Sequence, residues 1–181
     1  MTPNERVNLT NATVLLLERN TQSLTILFQA LSGFGVHRFA KCTSVDEAKR
    51  TIHERQIDLV VMDPSTQDDA GYDFIRWLRT QKMDPNSYVP IILVSGHTQQ
   101  SNVHRGINAG GSYVVVKPLS PAVLLERIMW IAHENKAFIE TADYLGPDRR
   151  ARDIGPVAGA EDRRKSQTGQ HYRKNEVEML P

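Results

Sequence analysis

Three residue types at the ends of three apolar runs could do chemistry together. Asp63 closes Ile57-Asp58-Leu59-Val60-Val61-Met62, Ser95 closes Ile91-Ile92-Leu93-Val94, and Lys117 closes Tyr113-Val114-Val115-Val116 and precedes Pro118. An acid, a hydroxyl and an amine thus each follow a short buried strand. In an open parallel sheet the carboxyl ends of the strands line one crevice, where ligands bind. A carboxylate, a hydroxyl and an ammonium gathered there can make and hold a phosphoryl group. The carboxylate attacks and the other two bind the oxygens.

The elements that must position them follow from periodicity. Ala12 to Leu17 is a continuous apolar run, read as a buried parallel strand. Leu24, Leu27, Phe28 and Leu31 share a helical face, with Gly33 as the expected stop. Val36 to Cys42 alternates as a second strand, and Ser44-Val45-Asp46-Glu47 opens a second helix as a capping box, through His53. Strand three is Ile57 to Met62. Phe74, Ile75 and Leu78 mark a third helix over Gly71 to Thr80, and strand four follows Pro90. Asn102 to Ala109 reads as a polar helix ended by Gly110-Gly111, and Tyr113 to Val116 is strand five. Ser120-Pro121 starts a last helix with proline at its first position, and Val123, Leu124, Ile128 and Ile131 form its apolar face. Strand and helix alternate five times. That order demands a doubly wound parallel sheet with helices on both faces, an α/β (βα)5 flavodoxin-like fold.

The chain has 181 residues, room for one such domain and an extension. A division into a loose arm at 1–10, a domain at 11–137 and a flexible tail at 138–181 is expected, because apolar residues become sparse past Phe138. The formal net charge of +1 implies no global attraction to nucleic acid or anionic membrane. The single cysteine, Cys42, excludes an internal disulfide and is expected to fill a strand as a small buried hydrophobe. With no long apolar stretch and no basic-then-apolar leader, the expected home is the cytoplasm, without a membrane partner. His37, His53, His97, His104, His133 and His171 lack ligand-like spacing, and only His97 lies near the active edge.

In order and spacing this chain resembles the CheY-like receiver domain of two-component response regulators, over residues 12–137. The resemblance implies that Asp63 accepts the phosphoryl group, that Ser95 and Lys117 support it, and that Gly71, Gly96, Ala109-Gly110 and Pro118 complete the pattern. It implies a histidine kinase or phosphotransfer protein as donor and a downstream protein as target, docked on helix four, strand five and helix five. No enzyme activity of its own is expected. Receivers end strand one with two acids that hold Mg²⁺. Here those positions carry Glu18 and Arg19, so only Glu18 and Asp63 remain as metal ligands, and a cation stands where the direct ligand belongs. Mg²⁺ binding is therefore expected to be weak or lost. Lys117 or Arg19 is expected to pair with Asp63. The switch aromatic is also displaced: Val114 occupies its position, and Tyr113, one residue earlier, should face the other way.

The tail carries Asp-Arg-Arg twice, at Asp148-Arg149-Arg150 and Asp162-Arg163-Arg164. Arginine forks match phosphate oxygens and the guanine edge, and Tyr144 offers a stacking ring. With Arg152, this resembles the arginine-rich extension of CheY-like proteins that bind cyclic di-GMP. Other readings are a phosphate-independent pseudo-receiver that docks on a protein, or an arm that serves no ligand. From Asp148 to Lys165 six basic residues are interleaved with four acidic ones, a poor footprint for general nucleic-acid binding.

Overall fold

The computed structural model describes residues 8–65, 70–96, 100–133, 137–141, 144–148 and 171–172. Five strands form one parallel sheet: β1 (Thr13–Leu17), β2 (Arg38–Cys42), β3 (Leu59–Met62), β4 (Ile91–Ser95) and β5 (Tyr113–Val116). Between and after them run α1 (Thr21–Gly33), α2 (Val45–Glu54), α3 (Ala70–Thr80), α4 (Gln100–Asn108) and α5 (Pro121–His133). The strand order is β2-β1-β3-β4-β5, so the order reverses between β1 and β3 and opens a crevice at their carboxyl ends.

Strand alternation sorts the core into two layers. Leu15, Leu17, Val60, Met62, Ile91 and Leu93 face Ala48, Ile52, Phe74, Ile75 and Leu78. Val14, Leu16, Val61, Ile92, Val94 and Val115 face Leu27, Leu31, Leu124 and Ile128. The central strands β1, β3 and β4 are buried on both faces and read as unbroken apolar runs, whereas the edge strand β2 alternates, with Arg38 and Lys41 exposed. Cys42 lies in the first layer, and burial pushes its thiol up toward the inert protonated form.

Element ends follow local chemistry. The Asn20 side chain accepts from Ser23 N and caps α1. Ser44 Oγ accepts from Glu47 N at 3.3 Å, and the Glu47 carboxylate reaches back to Thr43 N at 2.7 Å. The stop of α1 differs from expectation: Gly33 belongs to the helix, and the left-handed residue is Gly35, at φ 90. Strand β3 starts at Leu59 rather than Ile57, because Ile57 N donates to the Asn86 side chain and the Asp58 carboxylate accepts from Thr13 N.

Past residue 137 the described residues share the domain's core. β6 (Phe138–Glu140) pairs antiparallel with β7 (Leu145–Pro147) and with β8 (His171–Tyr172), in the order β7-β6-β8. Phe138 is buried and its ring meets Tyr88 edge-on at 5.4 Å. The first residues of the expected tail are thus a hairpin seated on the domain, and the break in composition at 137 is not a break in packing. Arg149, Arg150, Arg152, Asp162, Arg163, Arg164 and His97 lie outside the described residues.

Candidate phosphoacceptor site

At the carboxyl edge of the sheet, Asp63 follows β3, Glu18 follows β1 and Lys117 follows β5. Backbone bonds extend the sheet one step to carry them: Glu18 N donates to Cys42 O, Asp63 N to Leu17 O and Lys117 N to Ser95 O. The Lys117 ammonium reaches across this crevice to Asp63 Oδ2 at 2.7 Å and to Glu18 Oε2 at 2.9 Å. The second oxygen of each carboxylate accepts from backbone: Asp63 Oδ1 from Ser65 N at 2.7 Å, Glu18 Oε1 from Asn20 N at 2.9 Å. Ser95 is buried beside them at the end of β4.

The three charged groups differ in their access to water. The Glu18 side chain is 5% exposed, that of Asp63 14% and that of Lys117 28%. Partial burial pulls the Lys117 ammonium down, but its hydrogen bonds and charge attraction to Asp63 and Glu18 outweigh that and leave its pKa above the ordinary value. Of the two cations expected to pair with Asp63, Lys117 does so. Arg19 is exposed, and no ion pair holds it among the described residues.

Two other features shape the crevice. Gly71, at the start of α3, lies against the loop after Asp63; a Cβ there would fall 2.5 Å from Pro64 O. A side chain cannot be accepted without moving the backbone that directly follows Asp63. The peptide bond from Lys117 to Pro118 is cis. On β5, Val114 packs in the first core layer and Val115 in the second, while Tyr113 meets Trp130 of α5 edge-on at 6.2 Å. The tyrosine is therefore turned toward α5, as strand alternation requires.

A family model described as the response regulator receiver domain matches residues 14–129. The chain belongs to that family. The receiver spans 28% identity over 116 residues with the response regulator SaeR of Staphylococcus aureus, 64% of this chain and 49% of that protein. It thus covers about half the length of the curated relatives it matches. Among solved structures, chemotaxis protein CheY4 of Vibrio cholerae superposes with a TM-score of 0.59 at 20% identity, over 65% of this chain and 96% of that one. A response regulator from Thermotoga maritima gives 0.58 at 22% identity, over 66% and 96%. These structural likenesses show the fold, and the family match shows a receiver domain of two-component signalling.

Receivers commonly use Mg²⁺, and the donor set here is a poor match to it. Mg²⁺ takes near-octahedral oxygen ligands, usually one or two carboxylates with waters. The two carboxylates at this edge are Glu18 and Asp63, and Lys117 already holds one oxygen of each. Among the described residues no group of three or more His, Cys, Asp or Glu side chains could hold a metal.

The sequence passed over Asn20 and Ser65, which orient the two carboxylates through their backbone N–H groups. For Asn20 a signal existed, an asparagine directly before a helix. For Ser65 none did, since any residue but proline supplies that donor. Of the tail residues, Tyr144 donates to Pro147 O at 2.8 Å, and Asp148 N donates to Ala137 O. Both belong to the hairpin and neither is near Asp63 in the chain's topology.

Proposed function

We propose that this receiver accepts a phosphoryl group on Asp63 from a histidine kinase or phosphotransfer protein, and that it signals by contact with a downstream protein. The single observation behind this reading is the Lys117 ammonium on Asp63 at 2.7 Å in the crevice where the strand order reverses. That lysine is placed to bind a phosphoryl oxygen once the carboxylate has been modified. The metal site is degenerate, because Glu18 serves Lys117 and Arg19 stands in place of the second acid. A docking surface is available on β5 and α5, where Val116 is 37% exposed, Val123 37% and Trp130 40%. No helix among the described residues is long and apolar enough to cross a membrane, in keeping with a cytoplasmic protein.

Phosphotransfer tests the reading. Incubation with a phosphodonor is expected to add one phosphoryl group to the wild type and none to Asp63→Asn. Absence of modification from every donor would favour the pseudo-receiver, which docks on its target irrespective of phosphate.

A second reading is supported by the small sheet. The doubled Asp-Arg-Arg falls between β7 and β8, which flank one strand, β6. Pro147 and Tyr172, which lie before and after that segment in the chain, both pair with Phe138 of β6. Such a segment suits cyclic di-GMP, with arginine forks on phosphate and guanine. Calorimetry with cyclic di-GMP on the full chain, against a variant with Arg149, Arg150, Arg163 and Arg164 all replaced by alanine, decides it. Equal heats in both, or none in the wild type at tens of micromolar, would discard this ligand.

A further inference from the structure

The charges at the crevice do not balance once Asp63 is modified. Glu18 and Asp63 each bring one negative charge and Lys117 one positive, so the resting site keeps a single excess negative charge. Phosphorylation replaces the singly charged carboxylate by an acyl phosphate carrying about two. One ammonium then faces three negative charges in a partly buried site, and a second cation is needed to hold the product and the transition state that leads to it. Glu18 cannot recruit one easily, since both its oxygens are already engaged.

We propose that the Arg19 guanidinium is that cation, so that the receiver takes up a phosphoryl group without a divalent metal. This rests on Asp63 being the acceptor. Leu17 is in register with Met62, and Asp63 N donates to Leu17 O, so Arg19 lies about one strand step beyond the acceptor on the neighbouring strand. Adjacent strands are about 4.8 Å apart, a gap that an arginine side chain spans. Arg19 is exposed and held by no ion pair among the described residues, so its fork is available. Lys41, near the end of β2, is set over the Phe28 ring at 3.3 Å. A guanidinium fork matches two phosphoryl oxygens at once and is always charged. In the step itself an Asp63 oxygen bonds to phosphorus. The bond from phosphorus to the donor's leaving oxygen or nitrogen breaks and its electron pair departs with the leaving group.

The test uses the full chain with acetyl phosphate as donor, from which acetate leaves, in EDTA and separately in Mg²⁺, read by intact mass. Wild type is expected to gain one phosphoryl group in EDTA, and Asp63→Asn none. Arg19→Ala should slow the metal-free reaction at least ~10-fold, the effect of one well-placed charged contact. Arg19→Lys should keep part of the rate, and Arg19→Asp should make it depend on Mg²⁺. Because Arg19 is exposed, all three variants should unfold at the wild-type midpoint, and circular dichroism checks that. If wild type reacts only with Mg²⁺, or if Arg19→Ala reacts as fast as wild type in EDTA, Arg19 is not the cation, while Asp63 remains the acceptor. If wild type reacts under neither condition, this role for Arg19 falls, and the acceptor role is decided by the phosphotransfer test with the remaining donors.

Discussion

Two cationic side chains on opposite edges of the same sheet are treated in opposite ways. At the carboxyl edge, Lys117 is 28% exposed and is paired with two carboxylates. At the amino edge, Arg79 is 1% exposed and is held by neutral groups: Nε and Nη2 donate to Gly110 O at 3.1 and 2.9 Å, and Nη1 to Ser87 O at 2.8 Å. Its guanidinium lies 5.1 Å from the Phe138 ring, and no carboxylate pairs with it among the described residues. Burial pulls its pKa down to about 9, which still leaves it charged at neutral pH. The lysine can trade partners, because water reaches it and its charge is shared between two carboxylates at the crevice. The arginine cannot, because any departure would strand a charge and two carbonyls in a dry interior. One edge is built for exchange and the other for fixation.

What Arg79 fixes is the hairpin. Gly110, at φ 106, closes against both Arg79 and the hairpin: a Cβ there would lie 3.0 Å from Arg79 Cγ and 3.0 Å from Leu145 O. Gly146 approaches Gly110 Cα in return. The buried cation thus joins α3, the loop before β5 and β6 in one contact.

The largest test of this contrast is Arg79→Met. Two buried carbonyls lose their donors, and a cost of about 3 kcal/mol in urea unfolding is expected, with loss of amide protection over residues 138–148. A change below about 1 kcal/mol, within the range of ordinary surface substitutions and single hydrogen bonds, would show that the arginine is not the clamp. Next in size is Gly71→Ala, where the methyl group meets the Pro64 backbone. Overpacking of this kind costs about 1–3 kcal/mol. Phosphorylation at Asp63 should slow in that variant, whereas a variant confined to the hairpin should leave it unchanged.

The exchange edge has its own signature in pH. The folded-state pKa of Lys117 is raised above its unfolded value. A raised cation contributes stability that is fully present below the unfolded pKa of about 10.4 and is lost as pH climbs through the folded value. Wild type should therefore exceed Lys117→Met in stability at pH 7, and the gap should narrow above about pH 10.4. A gap that stays constant through that range would mean that the ammonium is not stabilised by its two carboxylates. The smallest effect is expected from Tyr144→Phe, which loses the bond to Pro147 O. About 1 kcal/mol is expected, read as faster exchange in the hairpin with no change in phosphorylation rate at Asp63.

Much of the exchange edge could be read in advance and almost none of the fixed edge could. Asp63, Ser95 and Lys117 announce themselves because each interrupts the end of an apolar run, and a parallel sheet gathers such ends. The orientation of Tyr113 away from the Val114 position followed from strand alternation alone. Arg79 gave no such signal. On a helix an arginine is ordinarily a solvated residue, and nothing local separates one that is buried. The hairpin was hidden for a related reason: Phe138, Tyr144 and Leu145 are too few and too scattered to suggest a core, and the burial of Phe138 depends on a surface made elsewhere.

The sequence by itself determined the doubly wound fold and the strand ends that meet at the crevice, because periodicity and chain order are local properties, and the resemblance to receivers marked Arg19 as standing where a second acid is expected. Only the tertiary structure decided that Lys117 rather than Arg19 holds Asp63 and that Glu18 is spent on the same ammonium. It alone decided that β6 and β7 dock over a buried guanidinium. Those outcomes depend on which of several competing partners comes within a hydrogen bond's length across 54 or 99 residues of chain, and only packing settles that competition.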